Sequence, residues 1–363
     1  MNKEADALYV HIPFCSAICG YCDFSKLLYD RGFAFSYLQA LKKEIESYRI
    51  GRVKTIYVGG GTPTSLDDDL FSDLLSFLAP FLDENGEYSV EANPESLSPA
   101  KAKMMAEAGV NRVSMGVESA DPALLKLMGR RHDNEMVKKA ISNLKEVGID
   151  NYNLDLIYGL PGEGMETLNN DVDFLLSLNP PHLSLYSLTV SPGSIFYNRK
   201  LPEAPEDLSA GMYEYILKRL RASGYRRYEV SNFAKPGFES RHNLTYWRDE
   251  PYYGCGLAAS GYLGDIRYQN VKNLSKYLAG EYVAEREKVD EGSAFEYYLL
   301  TNLRLEEGFS LKDFESRFGV GFLEKYPEAN KLFDEGLLIL KDERIMPSDR
   351  GIMILDRVLL RLF

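Results

Sequence analysis

The chain has 363 residues, of which 45% are hydrophobic and 26% charged, the composition of an ordinary globular protein. Its formal net charge of −12 argues against a nucleic-acid partner, because neutralising phosphates requires an excess of Lys and Arg. No apolar run approaches the roughly 18–20 residues that span a bilayer, and the opening MNKEADALYV lacks the apolar stretch of a signal peptide. A cytoplasmic location is therefore expected, with at most peripheral membrane contact.

Short β-rich segments alternate with helical patterns over the first 190 residues, which predicts βα units around a parallel sheet. The clearest helical periodicity lies at 35–48 and at 133–147, the second with Asp133 as its N-cap and Gly148 just past its end. This first part of the chain holds six such βα units, fewer than the eight of a complete (β/α)8 barrel. An α/β fold with an incomplete (β/α)6 barrel is therefore expected. The predicted strands are 8–12, 55–58, 88–91, 112–116, 153–157 and 183–188.

The rhythm of the sequence changes after this barrel region. A helix is predicted over 207–222, and a stretch rich in Tyr and Gly follows it. From about 293 to 363, amphipathic helices and turns predict a small winged-helix-like module whose acidic surface favours packing or partner contact over DNA binding. We therefore divide the chain into a barrel region, 1–205, and a smaller, mainly helical region, 206–363.

Three of the four cysteines lie within eight residues, directly after the first predicted strand. Cys15, Cys19 and Cys22 have C-x3-C-x2-C spacing, whereas Cys255 stands far away in the sequence. This crowding favours metal ligation in a reducing compartment over a disulfide framework. Thiolates are the usual ligands of iron–sulfur clusters, and three of them leave one iron of a cubane open to a small molecule. The alternative is a zinc site, which normally needs four ligands and for which His11 is a candidate fourth.

With Tyr21 before Cys22, the loop resembles the C-x3-C-x-[aromatic]-C hallmark of the radical S-adenosylmethionine superfamily. In that superfamily the open iron chelates the methionine group, and one electron cleaves the sulfonium to a 5′-deoxyadenosyl radical. The resemblance implies a [4Fe–4S] cluster on Cys15, Cys19 and Cys22, with S-adenosylmethionine beside it, in a partial TIM-like barrel. The cofactor supplies this chemistry and the protein positions it, so no catalytic side chain is assigned.

Glycines and polar residues follow the later predicted strands, where the ligands of βα barrels gather. Taken singly, a charge at such a position is more often a solvated surface group, and three glycines in a row are more often a tight turn. In their order and local sequence, however, they resemble the oxygen-independent coproporphyrinogen oxidase group of the superfamily. That resemblance implies contacts to S-adenosylmethionine, of which Thr189 is the loosest correspondence. The implied cofactor-binding residues are Tyr9, Tyr21, Gly59, Gly60, Gly61, Thr62, Glu91, Glu118, Arg130, Asp155 and Thr189.

The resemblance covers nearly the whole chain, but the group has two branches. Oxidases extend the cysteine motif to C-x3-C-x2-C-x-C and carry a long N-terminal extension, whereas this chain has Phe24 at the last cysteine position and a short N-terminus. The segment HNLTYW at 242–247 resembles the H-N-x-x-Y-W signature of the heme chaperone branch. Imidazole is a common axial heme ligand and aromatic rings can cover a porphyrin face. The resemblance therefore implies heme on His242, flanked by Tyr246 and Trp247.

Without that resemblance, a histidine beside two aromatic residues is more often a surface group at a domain seam. His242 is expected among exposed-loop signals, and if the segment is helical, Tyr246 shares its face. The sequence departs from the proteins that it resembles at one further place, because Ser260 and Gly261 stand where those proteins usually carry His-Ser. Cys255 is interpreted as a small buried hydrophobic residue.

The predicted function is that of a heme chaperone, which binds heme and transfers it to apoproteins, with a [4Fe–4S] cluster and S-adenosylmethionine. One alternative is an oxygen-independent coproporphyrinogen III oxidase, which Phe24 and the short N-terminus disfavour. The other is a radical enzyme acting on another substrate, which His242 disfavours. The expected partners are heme, an apoprotein that accepts it, and an electron donor such as flavodoxin or ferredoxin.

Overall fold

The computed structural model describes residues 5–363; residues 1–4, with which the predicted barrel region begins, lie outside them. The first half of the chain alternates strands and helices, as its periodicity predicts. Its strands are β1 (Ala7–Ile12), β2 (Phe14–Cys15), β3 (Leu27–Leu28), β4 (Val53–Gly60), β5 (Leu82–Ala92), β6 (Arg112–Glu118), β7 (Tyr152–Tyr158) and β8 (His182–Ser187). Its helices are α1 (Arg31–Ser47), α2 (Asp68–Leu78), α3 (Pro99–Glu107), α4 (Pro122–Met128), α5 (Asn134–Glu146), α6 (Met165–Ser177) and α7 (Ile195–Asn198).

The second half contains more helix than strand, and its strands are short. The strands are β9 (Arg226–Arg227), β10 (Asn232–Ala234), β11 (Tyr253–Cys255), β12 (Ser260–Leu263), β13 (Ile266–Asn270), β14 (Val283–Lys288), β15 (Phe309–Ser310), β16 (Leu338–Lys341) and β17 (Arg344–Pro347). The helices are α8 (Glu206–Ala222), α9 (Arg241–Trp247), α10 (Leu274–Leu278), α11 (Glu291–Asn302), α12 (Leu311–Phe318), α13 (Phe322–Lys325), α14 (Ala329–Asp334), α15 (Asp349–Met353) and α16 (Leu355–Leu359).

One large sheet organises the molecule, with strand order β11-β1-β4-β5-β6-β7-β8-β10-β9. The six strands from β1 to β8 in this order are parallel, β11 adds to β1 in parallel, and β10 and β9 close the far side in antiparallel pairing. The expected α/β class and partial barrel are therefore confirmed. Three of the nine strands come after residue 205, so the predicted boundary between the two regions, at 205/206, divides the strands of a single sheet. The division into domains stays a prediction.

The helix boundaries follow from capping groups that the sequence contains. The carboxylate of Asp133 accepts a hydrogen bond from the backbone N–H of Met136 at 2.9 Å, which confirms the predicted N-cap of α5. Helix α1 begins four residues before the predicted start, because Asp30 caps it by accepting from the N–H of Phe33. The apolar faces of these helices pack on the outside of the sheet and form part of the main core.

The inner face of the sheet is polar, although strands of parallel sheets that are covered on both faces usually have near-continuous apolar sequences. Alternate residues of β5 and β6, including Glu87, Ser89, Arg112 and Glu118, are buried, and Glu91 is half-buried. Helix α9 lies against β4, where a ring nitrogen of His242 is 2.8 Å from the Thr55 hydroxyl. Burial of so many polar groups is costly unless they are paired. This polar interior is therefore a candidate functional site.

The C-terminal end combines α11, α12 and α14 with a three-stranded antiparallel sheet in the order β15-β17-β16. Its core is aromatic, with Phe295, Phe309, Phe314 and Phe322 buried in mutual contact. Within residues 5–363, no helix combines the length and apolar character needed to cross a bilayer.

Candidate functional site

The cysteine loop lies over the carboxyl end of the parallel strands, where it lines a cavity of about 300 Å³. Cys15, Cys19 and Cys22 all face this cavity. Among residues 5–363, no three His, Cys, Asp or Glu side chains converge closely enough to hold a single metal ion. A cubane presents a separate iron to each thiolate, so its ligands need not converge on one point, and this arrangement fits a cluster better than zinc.

The surroundings of the thiols also suit a cluster. The Thr62 hydroxyl is 3.8 Å from the sulfur of Cys15, and an Arg130 nitrogen is 3.7 Å from the sulfur of Cys19. Burial raises the pKa of Cys15 to about 11, so this thiol needs a nearby positive charge, such as that of iron, to bind as a thiolate. Hydrogen bonds to sulfur are among the protein's means of tuning a cluster potential.

The glycine run places the carboxylate of Glu91 at the edge of the cavity. The backbone N–H of Gly60 and the Tyr57 hydroxyl each donate to that carboxylate at 2.9 Å. A side chain at Gly59 would place its Cβ 2.6 Å from the Glu91 carboxyl carbon, and one at Gly60 would meet the His11 ring at 2.4 Å. Both glycines are therefore required by close approach, since no other residue leaves this space. Burial raises the pKa of Glu91 to about 7.

A second carboxylate, Glu118, stands at the end of β6 in a strained conformation. Its φ of 66° lies in the left-handed region, which non-glycine residues adopt at a cost of about 1–3 kcal/mol and mostly at functional sites. The Tyr21 hydroxyl donates to it at 3.0 Å, and Arg130 lies 3.9 Å away. Arg130 also donates to Asn93 at 3.0 Å and to the carbonyl of Gly116. Burial raises the pKa of Glu118 to about 7, although the charge of Arg130 opposes this.

Asp155 closes the far side of the cavity. Its carboxylate accepts from Asn153 at 2.6 Å and from the Ser114 hydroxyl at 3.4 Å. Burial raises the pKa of Asp155 despite these hydrogen bonds. The three carboxylates thus surround a space whose other side carries the thiols and Arg130. Such a site can receive a ligand that bears ammonium, hydroxyl and carboxylate groups.

The structure brings most of the predicted cofactor residues together and leaves three outside. Thr189 is exposed and does not line the cavity, Gly59 lies behind the carboxylate of Glu91, and Tyr9 faces a neighbouring pocket. The roles of all these residues stay predictions. The predicted cluster and cofactor residues that line the cavity are Cys15, Cys19, Cys22, Tyr21, Gly60, Gly61, Thr62, Glu91, Glu118, Arg130 and Asp155.

Sequence reasoning missed the residues that hold these side chains. Tyr57 and Asn93 orient Glu91 and Arg130, while Ser114 and Tyr186 complete the wall. Their signal was the two-residue period of the strands, since Tyr57 and Ser114 share the inward face with Gly59 and Gly116 in their own strands.

Helix α9 contradicts the expectation that His242 lies in an exposed loop. The side chain is 1% exposed, and both ring nitrogens are engaged: Nδ1 lies 2.8 Å from the Thr55 hydroxyl and Nε2 2.7 Å from that of Tyr246. The ring stacks on Tyr57 at 5.2 Å. Burial and the charge of Arg112 lower the pKa of His242 to about 3, so it is neutral. The physical reason is that α9 packs its first turn onto β4, with its backbone N–H groups bonded to the Glu87 carboxylate.

The other two aromatic positions of this motif behave differently. Tyr246 does share the face of His242, as helical spacing predicts, and it is partly exposed. Trp247 lies beside Arg304, whose guanidinium is 5.8 Å from the ring centroid. The heme contacts of Tyr246 and Trp247 stay predictions.

A second pocket of about 280 Å³ lies beside the first, and Phe24 lines both. This second pocket, which we call the tyrosine pocket, is walled largely by aromatic rings. Phe24 and Ser260, where the sequence is expected to depart from the resembling proteins, both belong to it. Its lining residues are Tyr9, His11, Phe24, Ser25, Tyr246, Tyr252, Ala258, Ala259 and Ser260. Cys255 does not take part; it is fully buried, as interpreted from the sequence.

Comparison with known proteins agrees with this architecture. Residues 9–175 match the family model described as the radical SAM superfamily, and residues 297–354 match the HemN C-terminal domain. Coproporphyrinogen III oxidase (HemN) from Escherichia coli superposes with a TM-score of 0.86 over 99% of this chain and 90% of that chain. At 24% identity this likeness shows a shared fold. The fold and the cysteine loop are those of a radical S-adenosylmethionine protein.

Curated relatives narrow the assignment. The chain is 41% identical to heme chaperone HemW of Lactococcus lactis over 97% of its length and 95% of the relative's. It is 37% identical to heme chaperone HemW of Bacillus subtilis, with 96% and 97% covered. The chain therefore belongs to the HemW family of radical S-adenosylmethionine proteins. Membership implies a [4Fe–4S] cluster and S-adenosylmethionine, and the residues around the cavity fit both.

Proposed function

We propose that this protein is a heme chaperone, which binds heme and passes it to an apoprotein. The observation that carries the proposal is the position of α9. The helix that bears the HNLTYW motif presents Tyr246 to the tyrosine pocket, directly beside the cysteine loop. The relatives named heme chaperone HemW match along nearly the whole chain. The match therefore includes the motif, the pocket and the cysteine loop together, which supports the same function for this protein.

The residues around the cavity would hold the cluster and its ligand. Cys15, Cys19 and Cys22 would bind three irons, and Glu91 and Asp155 would receive the ammonium or hydroxyl groups of S-adenosylmethionine. When bound, the cluster and S-adenosylmethionine supply one-electron chemistry at the sulfonium. The protein's own contribution is to orient the ligand by hydrogen bonds and to exclude water from a largely buried cavity. An electron donor such as flavodoxin or ferredoxin would serve this site, and the crowding of Cys15, Cys19 and Cys22 in one loop favours a reducing, cytoplasmic setting.

The oxidase alternative is disfavoured by Phe24. An oxidase would carry a cysteine here, but Phe24 offers only an apolar ring to both pockets. We expect no protoporphyrinogen when the reconstituted protein receives coproporphyrinogen, reductant and S-adenosylmethionine. Sustained turnover in that assay would favour the oxidase.

The test of the chaperone proposal is heme binding and transfer. Anaerobically reconstituted protein is mixed with ferric heme, and the Soret band is followed during titration. The heme-loaded protein is then separated from free heme and mixed with apomyoglobin as a general acceptor. We expect saturable binding followed by transfer faster than spontaneous heme loss into buffer. A protein that takes up no heme, or never releases it to an acceptor, would refute the proposal.

A further inference from the structure

The predicted iron ligand, His242, is not free to bind iron. Its Nε2 lies 2.7 Å from the Tyr246 oxygen and its Nδ1 2.8 Å from the Thr55 oxygen, and the ring is buried against Tyr57. To reach a heme iron, the ring would have to break a hydrogen bond and leave its stack. Each buried polar group left unpaired by that movement would destabilise the protein.

Tyr246, in contrast, borders the tyrosine pocket, with its ring packed edge-on against His242 and Tyr252. Its side chain is partly exposed and lines the tyrosine pocket, and its hydroxyl ends beside the buried imidazole. Tyrosine oxygen is an established type of axial heme ligand. Burial raises the pKa of Tyr246 well above its ordinary value, so a phenolate there requires the charge of a bound ferric iron as well as an adjacent N–H donor, which stabilises the anion by a hydrogen bond. His242 can supply that donor.

We propose that Tyr246 is the residue that binds the heme iron, through its phenolate oxygen in the tyrosine pocket, and that His242 is a positioning residue that supports the phenolate by a hydrogen bond. This inference rests on the proposed function, since it names the iron ligand of the same heme site.

The hydrogen-bond pattern around His242 allows this role without moving the ring. With the Thr55 hydroxyl donating to Nδ1, the Nε2–H donates to the Tyr246 oxygen, whose own O–H then points toward the pocket. A ferric porphyrin in water carries hydroxide on its iron. The iron–hydroxide bond breaks, the phenol proton leaves with the hydroxide as water, and the iron–phenolate bond forms. The iron stays ferric, so no oxidant or reductant is needed.

Two other tyrosines in the pocket are less suited to this role. Tyr9 is 2.9 Å from Nδ1 of His11, whose Nε2 lies 2.8 Å from the carbonyl of Ser25. Because a carbonyl can only accept, that imidazole holds its proton on Nε2, and Nδ1 accepts from the Tyr9 hydroxyl. Tyr9 therefore has no donor to stabilise a phenolate. The hydroxyl of Tyr252 has no hydrogen-bond donor beside it within residues 5–363, and burial raises its pKa more than the charge of Arg267 lowers it.

The exposed rim of the pocket suits a carried ligand. Phe24 is 66% exposed and Ser260 is exposed, so the pocket opens to the surface on that side. A macrocycle bound at Tyr246 would keep an accessible edge, from which an acceptor could take it. The second axial position of the iron receives no side chain in this proposal, which leaves it open to a ligand from the acceptor.

The test compares Tyr246→Phe with Tyr252→Phe, which makes the same chemical change on a neighbouring ring of the same pocket. Each variant is titrated with ferric heme and examined by absorption, resonance Raman and electron paramagnetic resonance spectroscopy. We expect high-spin ferric spectra with an iron–phenolate vibration for the wild type and for Tyr252→Phe. Tyr246→Phe should lose that vibration and bind heme at least about tenfold more weakly, which corresponds to about 1.4 kcal/mol.

His242→Gln gives the complementary measurement, because a Gln amide can still donate to a phenolate but does not replace an imidazole ligand. We expect the iron–phenolate vibration to remain, at a shifted frequency. Circular dichroism and iron–sulfur content verify that each variant is folded. If Tyr246→Phe keeps the wild-type spectrum while His242→Gln abolishes it, His242 is the ligand and this inference is wrong. If the folded wild type binds no heme, the proposed function itself fails.

Discussion

The cluster cavity and the tyrosine pocket adjoin each other, but the chain builds them in different ways. Five successive strand ends supply the walls of the cavity, so the order of residues in the sequence reproduces their arrangement around the barrel. The tyrosine pocket instead combines β1, the cysteine loop, α9 and the loop before β12. His242, whose imidazole adjoins the Tyr246 hydroxyl of this pocket, is held by Thr55 and Glu87. Both residues stand more than 150 positions away in the sequence. A repeating fold makes the first kind of site predictable, whereas the second depends on tertiary partners.

The strongest test of this contrast is removal of one thiol from the cavity. Cys19→Ala should lose essentially all iron and sulfide after anaerobic reconstitution, because two thiolates do not hold a cubane securely. Cys255→Ala should keep the wild-type content, since its sulfur is buried between strands and away from the loop. Iron and sulfide analysis of both proteins checks this. Full cluster content in Cys19→Ala would mean that the loop is not the binding site.

Removal of the cavity's cation should have the next largest effect. Arg130→Gln takes away the guanidinium that faces Glu118 and Cys19, and hydrogen bonds to charged groups are worth about 1.5–3 kcal/mol. We expect S-adenosylmethionine to bind about 10–100-fold more weakly, as measured by its effect on the resonance spectrum of the reduced cluster. Arg219→Gln is the control, because Arg219 pairs with Asp173 on the surface. Equal affinity in the two variants would remove Arg130 from the site.

The buried imidazole of the other region should reveal itself in acid. The pKa of His242 is lowered to about 3, against about 6.5 in an unfolded chain. Its contribution to stability is therefore complete above pH 6.5 and is lost as pH falls toward 3. At pH 5 the loss should be about 2 kcal/mol. The difference in unfolding free energy between the wild type and His242→Gln, measured from pH 8 to pH 5, should shrink by about this amount. A constant difference would mean that the imidazole is exposed to solvent.

The smallest expected effect concerns the backbone of the tyrosine pocket. Ala258 has a φ of 60°, in the left-handed region that glycine tolerates better. Ala258→Gly should therefore change the unfolding free energy by less than about 1 kcal/mol, in the stabilising direction. Ala259→Gly, at a neighbouring position without a positive φ, should be destabilised by about 0.5–1 kcal/mol. Chemical denaturation of both variants checks the order, and the reverse order would contradict the assigned strain.

The sequence was sufficient to predict the repeated βα units of the barrel. Strand positions followed from apolar runs, although β5 is longer than predicted because its first residues are polar, and apolar content was the signal used. Glu91, Glu118, Arg130 and Asp155 could be grouped because parallel strands end at one rim. Sequence could not show that His242 is buried, because Thr55 and Glu87 contact it only after α9 packs on the sheet. Thr189 follows a strand end as well, but it is exposed and lies outside the cavity, so its predicted contact stays a prediction.

The pairing of β1 with β11 has a consequence for how the protein is made. About 240 residues separate these two strands, and a ribosome adds about 5–20 residues per second. One edge of β1 therefore waits roughly 12–48 s for its partner during synthesis. An unpaired strand edge is prone to join other chains, and this one leads directly into Cys15. The newborn protein thus has an interval in which its cysteine loop is already synthesised while the adjoining strand edge is still open.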